Sequence, residues 1–190
     1  DEAFYSNYEL TCELNLPSTL KEIGEFAFYG CRNMTGALVI PDGVEIIGDY
    51  AFTRCEGLSS LNLSENLQVI GAEAFHDCTS LSGTLELPDG LTQIGRVAFG
   101  GCENLRGDLI LPDSLTFLGD YAFSQCGFDG TLTLSRGLTR IMSDTFNYCT
   151  AFRGDLVIPD SIQTIGENAF VSCGFDGTLT INHRRTAFVY

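Results

Sequence analysis

The 190-residue sequence predicts a repeat solenoid of about eight rungs, each 23–24 residues long. Three observations carry this expectation. Cys31, Cys55, Cys78, Cys102, Cys126, Cys149 and Cys173 are spaced by 24, 23, 24, 24, 23 and 24 residues. Each lies three residues after a phenylalanine, from Phe28 to Phe170, and Phe4 extends that series backwards with Asn7 at the cysteine's place. The apolar residues repeat in the same phase: Leu85, Leu87, Leu91, Ile94, Ala98, Phe99 and Cys102 in one rung, then Leu109, Leu111, Leu115, Leu118, Ala122, Phe123 and Cys126 in the next.

Each rung opens on Leu-x-Leu. Alternation of this kind reads as a short strand with both leucines on its inner face. Pro17, Pro41, Pro88, Pro112 and Pro159 then stop the strand, and the Asp that usually follows is expected to bond its own backbone in a turn. A glycine follows the isoleucine-type position at Gly24, Gly48, Gly71, Gly95, Gly119 and Gly166, which suggests a turn with positive φ. Met142 breaks that rule, so the rung holding Thr145 and Phe146 is expected to be the least regular. Rung length varies in one place only. Seven residues separate Cys31, Cys78, Cys102 and Cys149 from the next strand leucine, against six after Cys55, Cys126 and Cys173.

Composition narrows the function classes. Ten basic residues against 25 acidic ones give a net charge of −15, which argues against a nucleic-acid partner and against anionic lipid. No apolar stretch approaches the roughly 20 residues of a membrane helix, so membrane insertion is not expected. One rung cannot bury its own apolar stripe. Stacking rungs closes a continuous core between neighbours, so stability should spread along the array and fray at its ends.

The repeated Leu-x-Leu-Pro, Leu, Ile-Gly, Ala-Phe, Cys, Leu pattern resembles the BspA-like leucine-rich repeats of bacterial surface proteins and some protist surface proteins. The resemblance covers residues 1 to about 181; residues 182–190, with Asn182, Arg185 and Val189 in place of Pro, Leu and Gly, read as a divergent tail or partial cap. It implies a right-handed leucine-rich-repeat superhelix. Such a superhelix has one short parallel β-strand per rung and is irregular or 3-10 on the other side. It also implies a secreted or surface-displayed module used for adhesion. Asp1-Glu2-Ala3-Phe4 aligns with Asp49-Tyr50-Ala51-Phe52, so the chain opens in mid-rung. That placement is expected of a piece of a longer protein, with self-association at open solenoid ends as the alternative.

The chemistry-bearing residues mostly have plain readings. The seven in-phase cysteines read as a buried ladder of reduced thiols, because equivalent parallel side chains point the wrong way for a good disulfide. No CxxC pair occurs and neither His76 nor His183 reaches a cysteine cluster, so no metal site is expected. His76 reads as a surface histidine. The acids recur with the rung, and no clustered departure marks a catalytic site, so neither an enzyme nor a cofactor is expected. What remains is the outward side of the strands: Asn15, Val39, Asn62, Glu86, Asp108, Ile110, Thr131, Thr133, Asp155 and Val157. Eight strands about 4.8 Å apart, each showing roughly 10 Å, offer about 400 Å², half of one side of a standard interface. The leading expectation is recognition of an extracellular or host protein, or of a surface glycan, through this face. A structural spacer is the alternative, and a carbohydrate-active solenoid enzyme the third reading.

Overall fold

The computed structural model describes residues 1–182 and 187–188. Arg185 and Val189, expected in the divergent tail, lie outside the described residues. The chain is a parallel β-solenoid of about seven turns, with no helix among the described residues. Its strands, in chain order, are β1 (Glu22–Ile23), β2 (Gly36–Val39), β3 (Ile46–Ile47), β4 (Leu58–Asn62), β5 (Val69–Ile70), β6 (Gln93–Ile94) and β7 (Leu109–Ile110). Then come β8 (Phe117–Leu118), β9 (Leu132–Thr133), β10 (Arg140–Ile141), β11 (Leu156–Ile158), β12 (Thr164–Ile165), β13 (Leu179–Ile181) and β14 (Ala187–Phe188).

Leu-x-Leu strands form in six rungs; contrary to expectation, residues 14–16 and 85–87 form none. The structure adds a second ladder, at the isoleucine before the glycine. There β1, β3, β5, β6 and β8 form one five-stranded parallel sheet, and β10, β12 and β14 form another. Between the two ladders lies the core. Phe28, Phe52, Phe75, Phe99 and Phe123 stack with nearly parallel rings 5.2–5.4 Å apart. Burying one such side chain contributes roughly 1.5–3 kcal/mol. A second column, Phe128–Phe152–Phe175, fills the last rungs where earlier ones use Met34, Leu58, Leu81 and Leu105.

The glycines of the Ile-Gly step correct the expectation of positive φ. None of them has it. Their reason is contact between backbones: a Cβ on Gly95 would lie 2.4 Å from the Ala72 nitrogen, and one on Gly119 2.5 Å from that of Arg96. At Met142 a side chain occupies this place, and the rung is the irregular one. The sheet ends between β8 and β10, and the Phe123 and Phe146 rings stand 5.9 Å apart.

Left-handed backbone is placed elsewhere. In each turn the residue two before the phenylalanine and the one two after it take positive φ, near +55° as at Val97 and Gln125, or higher at Gly30 (70°) and Gly101 (78°). Each costs roughly 1–2 kcal/mol for a residue with a Cβ. In return the turn's alternate amides aim at the next rung: Val97 N–H to Asp120 C=O, Phe99 to Ala122 and Gly101 to Ser124, all 2.8–2.9 Å.

The one-residue length difference also has a structural meaning. In every long rung a glycine two positions before the strand leucine takes positive φ: Gly36 (89°), Gly83 (86°), Gly107 (80°) and Gly154 (76°). Each paired set of Leu-x-Leu strands joins a long rung to the short rung after it: β2 with β4, β7 with β9, β11 with β13. The other junctions carry no paired strands on this face. The structural unit of the face is therefore a pair of rungs, with the rungs of Leu14 and Leu85 outside any pair.

Candidate binding face

All ten residues expected on the outward side of the strands are exposed. Val39, Ile110 and Val157 are 51%, 59% and 45% accessible, so these β-branched side chains are offered to solvent. The two aspartates are less free. The Asp108 carboxylate accepts the Thr131 N–H at 2.6 Å and the Thr131 hydroxyl at 2.9 Å, which holds its carboxyl below the usual range. Asp155 accepts the Thr178 N–H at 2.7 Å. Asp129 and Asp176, in the Gly-Phe-Asp-Gly loops, return the bond to Gly107 N–H and Gly154 N–H at 2.7 Å. A reciprocal pair of carboxylates thus clasps each of the two later rung pairs.

Other acids behave alike. Asp49, Asp113 and Asp120 accept the N–H groups of Ala72, Arg136 and Ser143 in the following rung. This corrects the expectation that the Asp after Pro bonds its own backbone, at least for Asp113. The turn itself is closed by the proline carbonyl, as with Leu115 N–H to Pro112 C=O at 2.9 Å. Much of the acidic excess is thereby spent on orphan amides between rungs.

The cysteines of the repeat are free thiols, and each donates to the carbonyl of the preceding rung's phenylalanine. Cys102 reaches Phe75 and Cys126 reaches Phe99, and all seven bonds fall between 3.0 and 3.2 Å. Burial pushes Cys78 and Cys149 up to about 12 and Cys173 to about 11. These thiols are inert as nucleophiles, since the thiolate is the reactive form. Cys12 lies outside the row and is exposed.

Where the strands do not pair, the face opens into clefts. One, of about 720 Å³, lies between β9 and β11, and a smaller one between the Leu85 rung and β7 is lined by Glu86, Asp108 and Ile110. A third borders Glu86 and Leu63. On the turn side, one cluster departs from the repeat, contrary to expectation. Arg96 pairs with Glu73 at 3.2 Å, Arg54 with Asp77 at 3.5 Å, and half-buried His76 meets Gly100 C=O through Nδ1 at 2.9 Å. His76 is therefore fixed by the next rung, and Gly100 and Gly101 leave room beside it. Among the described residues no group of three or more His, Cys, Asp or Glu is arranged to hold a metal ion.

These features define a class: a leucine-rich-repeat solenoid whose interior repeats and whose outer strand residues vary. Residues 1–85 and 83–187 match the family model of the BspA type leucine rich repeat region in 6 copies. The chain belongs to that family. A leucine-rich repeat protein from Bacteroides ovatus superposes with a TM-score of 0.76 at 27% identity, covering 88% of this chain and 45% of that one. The chain thus spans under half the length of that relative. The Treponema pallidum leucine rich repeat protein superposes with a TM-score of 0.66 at 25% identity, covering 88% of this chain and 72% of that one. Among curated proteins none matches.

Proposed function

We propose that the chain is a non-enzymatic recognition module of a cell-surface or secreted protein, binding a protein or glycan partner through the Leu-x-Leu face. The observation that carries this reading is the contrast between the two sides of each strand. Inward positions are Leu or Ile in every rung, whereas the outward position between them is Asn15, Val39, Asn62, Glu86, Ile110, Thr133 and Val157 in turn. Solvation alone does not call for exposed Val and Ile, and variable side chains on a constant scaffold are what recognition uses. Membership of the BspA-type family supports the surface location.

The test is surface plasmon resonance of the chain against purified extracellular-matrix proteins and glycans, beside the double variant Val39→Asp, Ile110→Asp. Both substitutions lie on exposed positions, and circular dichroism checks that the variant folds. The expected result is a saturable partner whose affinity falls at least tenfold in the variant. Absence of any partner across the panel favours the spacer reading instead.

A further inference from the structure

The cleft between β9 and β11, larger than the one beside β7, leaves both donors and acceptors unbonded on its walls. Resting on the recognition reading above, we propose that this cleft binds a neutral saccharide, whose hydroxyls take the hydrogen bonds that the two strands do not exchange.

The main chain comes first. In a parallel ladder alternate backbone groups face opposite neighbours. The carbonyls of Thr131 and Thr133 accept from Leu109 in β7 and from Leu111 just after it, so the N–H groups of Leu132 and Leu134 face β11. On the other wall Leu156 N–H donates to Thr178, so the carbonyls of Asp155 and Val157 face β9. The two strands belong to different sheets and are not bonded to each other. Yet Cα atoms of β9 and β11 come within 8 Å of one another. An inserted peptide strand needs about 9.6 Å between its neighbours, twice the usual spacing of roughly 4.8 Å. The gap carries no direct pairing and is too narrow for a third strand. Small groups that both donate and accept fit it, and a hydroxyl is such a group.

The side chains agree. Thr133, Arg136, Asp160 and Asn182 line the cleft, and none of their side chains has a hydrogen-bond or ion-pair partner among the described residues. Ser161 adds a buried hydroxyl with no partner, whereas its counterpart Ser114, two rungs earlier, donates to Leu91 C=O at 2.6 Å. Donors and acceptors of both kinds converge, with Val157 and Pro159 supplying an apolar wall for sugar C–H groups. One guanidinium stands against the carboxylates of Asp155 and Asp160, so an acidic sugar gains nothing over a neutral one. The cleft beside β7 carries Glu86, Asp89 and Asp108 and no cation. Its volume, about 330 Å³ against 720 Å³, is also the smaller.

The experiment is titration of the whole chain with cellohexaose, maltohexaose and mannohexaose, followed by calorimetry and by amide chemical shifts. The expected result is binding of at least one, with shifts at Leu132, Leu134 and Val157. A tenfold or greater loss of affinity is expected in Thr133→Val and in Asp160→Asn. Binding of none of the three, shifts confined to other rungs, or unchanged affinity in both variants overturns the proposal. A matrix protein captured through Ile110 while no saccharide binds leaves the recognition reading standing and removes this one. Failure of both assays removes both.

Discussion

Two neighbouring junctions of the array differ by one kind of residue. Between the Phe99 and Phe123 rungs, Gly119 lies against the backbone of Arg96, its N–H donates to Ile94 C=O at 3.0 Å, and the rings stack at 5.4 Å. Between the Phe123 and Phe146 rungs, Met142 stands at the glycine's place. No corresponding bond joins it to Leu118, and the rings stand 5.9 Å apart. Rung spacing is therefore set by how close two backbones can come, and the apolar core follows. The looser junction keeps its turn amides, with Phe123 N–H to Thr145 C=O at 2.9 Å, and its thiol, with Cys149 donating to Phe123 C=O at 3.0 Å.

The largest effect expected to test this contrast is alkaline. An unfolded thiol ionises near pH 8.5, whereas burial raises Cys55, Cys78, Cys102, Cys126 and Cys149 well above that. The raised value means that stability is full below about pH 8.5 and is lost as pH climbs towards the folded values. At pH 10 the loss is roughly 2 kcal/mol per buried thiol, so the array as a whole loses more than any single substitution removes. Urea melts at pH 8 and pH 10 measure it, with hydrogen exchange reporting whether the Met142 junction opens first. Equal stability at the two pH values would show that the thiols are not buried as a row.

Next in size is the phenylalanine column. Phe99→Ala in the closely stacked block is expected to cost about 3–5 kcal/mol, because rings on both sides keep the cavity from collapsing. Phe4→Ala is expected to cost far less, since Phe4 is 44% exposed and stacks on one ring only. Denaturant melts of the two variants compare them directly. Similar losses contradict a stack whose rungs depend on both neighbours.

A third variant imposes the looser junction where there is none. Gly95→Ala puts a methyl group against the Ala72 nitrogen, and no flexible side chain is there to yield. Overpacking of this kind costs about 1–3 kcal/mol. The ring spacing between Phe75 and Phe99, now 5.2 Å, is expected to widen towards that at Met142. A crystal structure of the variant with unchanged spacing would sink the account.

Much of this was legible in the sequence. Periodic Leu, Phe and Cys specify phase, and phase specifies which side chains face inward, so the core and the exposure of Val39, Ile110 and Val157 follow without coordinates. The irregular Phe146 rung followed from Met142 alone. The reason for the glycine did not, because a positive φ and a close backbone approach select the same residue. Only the distance to Ala72 or Arg96 separates them. The clasp between Asp108 and Asp129 was hidden for a related cause: acids that recur every rung look solvated until their partners, 23 residues away, are in place. The pairing of rungs was visible only as a one-residue length difference, which has no meaning until the long form is matched to a left-handed glycine and to a paired strand.

The smallest expected effect is also the most specific. Met142→Gly removes the obstruction and is expected to let the amide at position 142 donate to Leu118 C=O, joining β8 to β10 and restoring a ring spacing near 5.4 Å. Stability is expected to change by no more than about 1 kcal/mol, because the gained ladder bond, worth about 1 kcal/mol, is opposed by the chain entropy of glycine and the lost packing of a half-buried methionine. The readout is therefore structural: slower hydrogen exchange at residue 142 and a continuous sheet from β1 to β14. If the gap persists with glycine in place, its cause lies in Thr145, which stands where other rungs have alanine and bonds Met142 C=O through its hydroxyl at 2.7 Å. The double variant with Thr145→Ala then separates the two contributions.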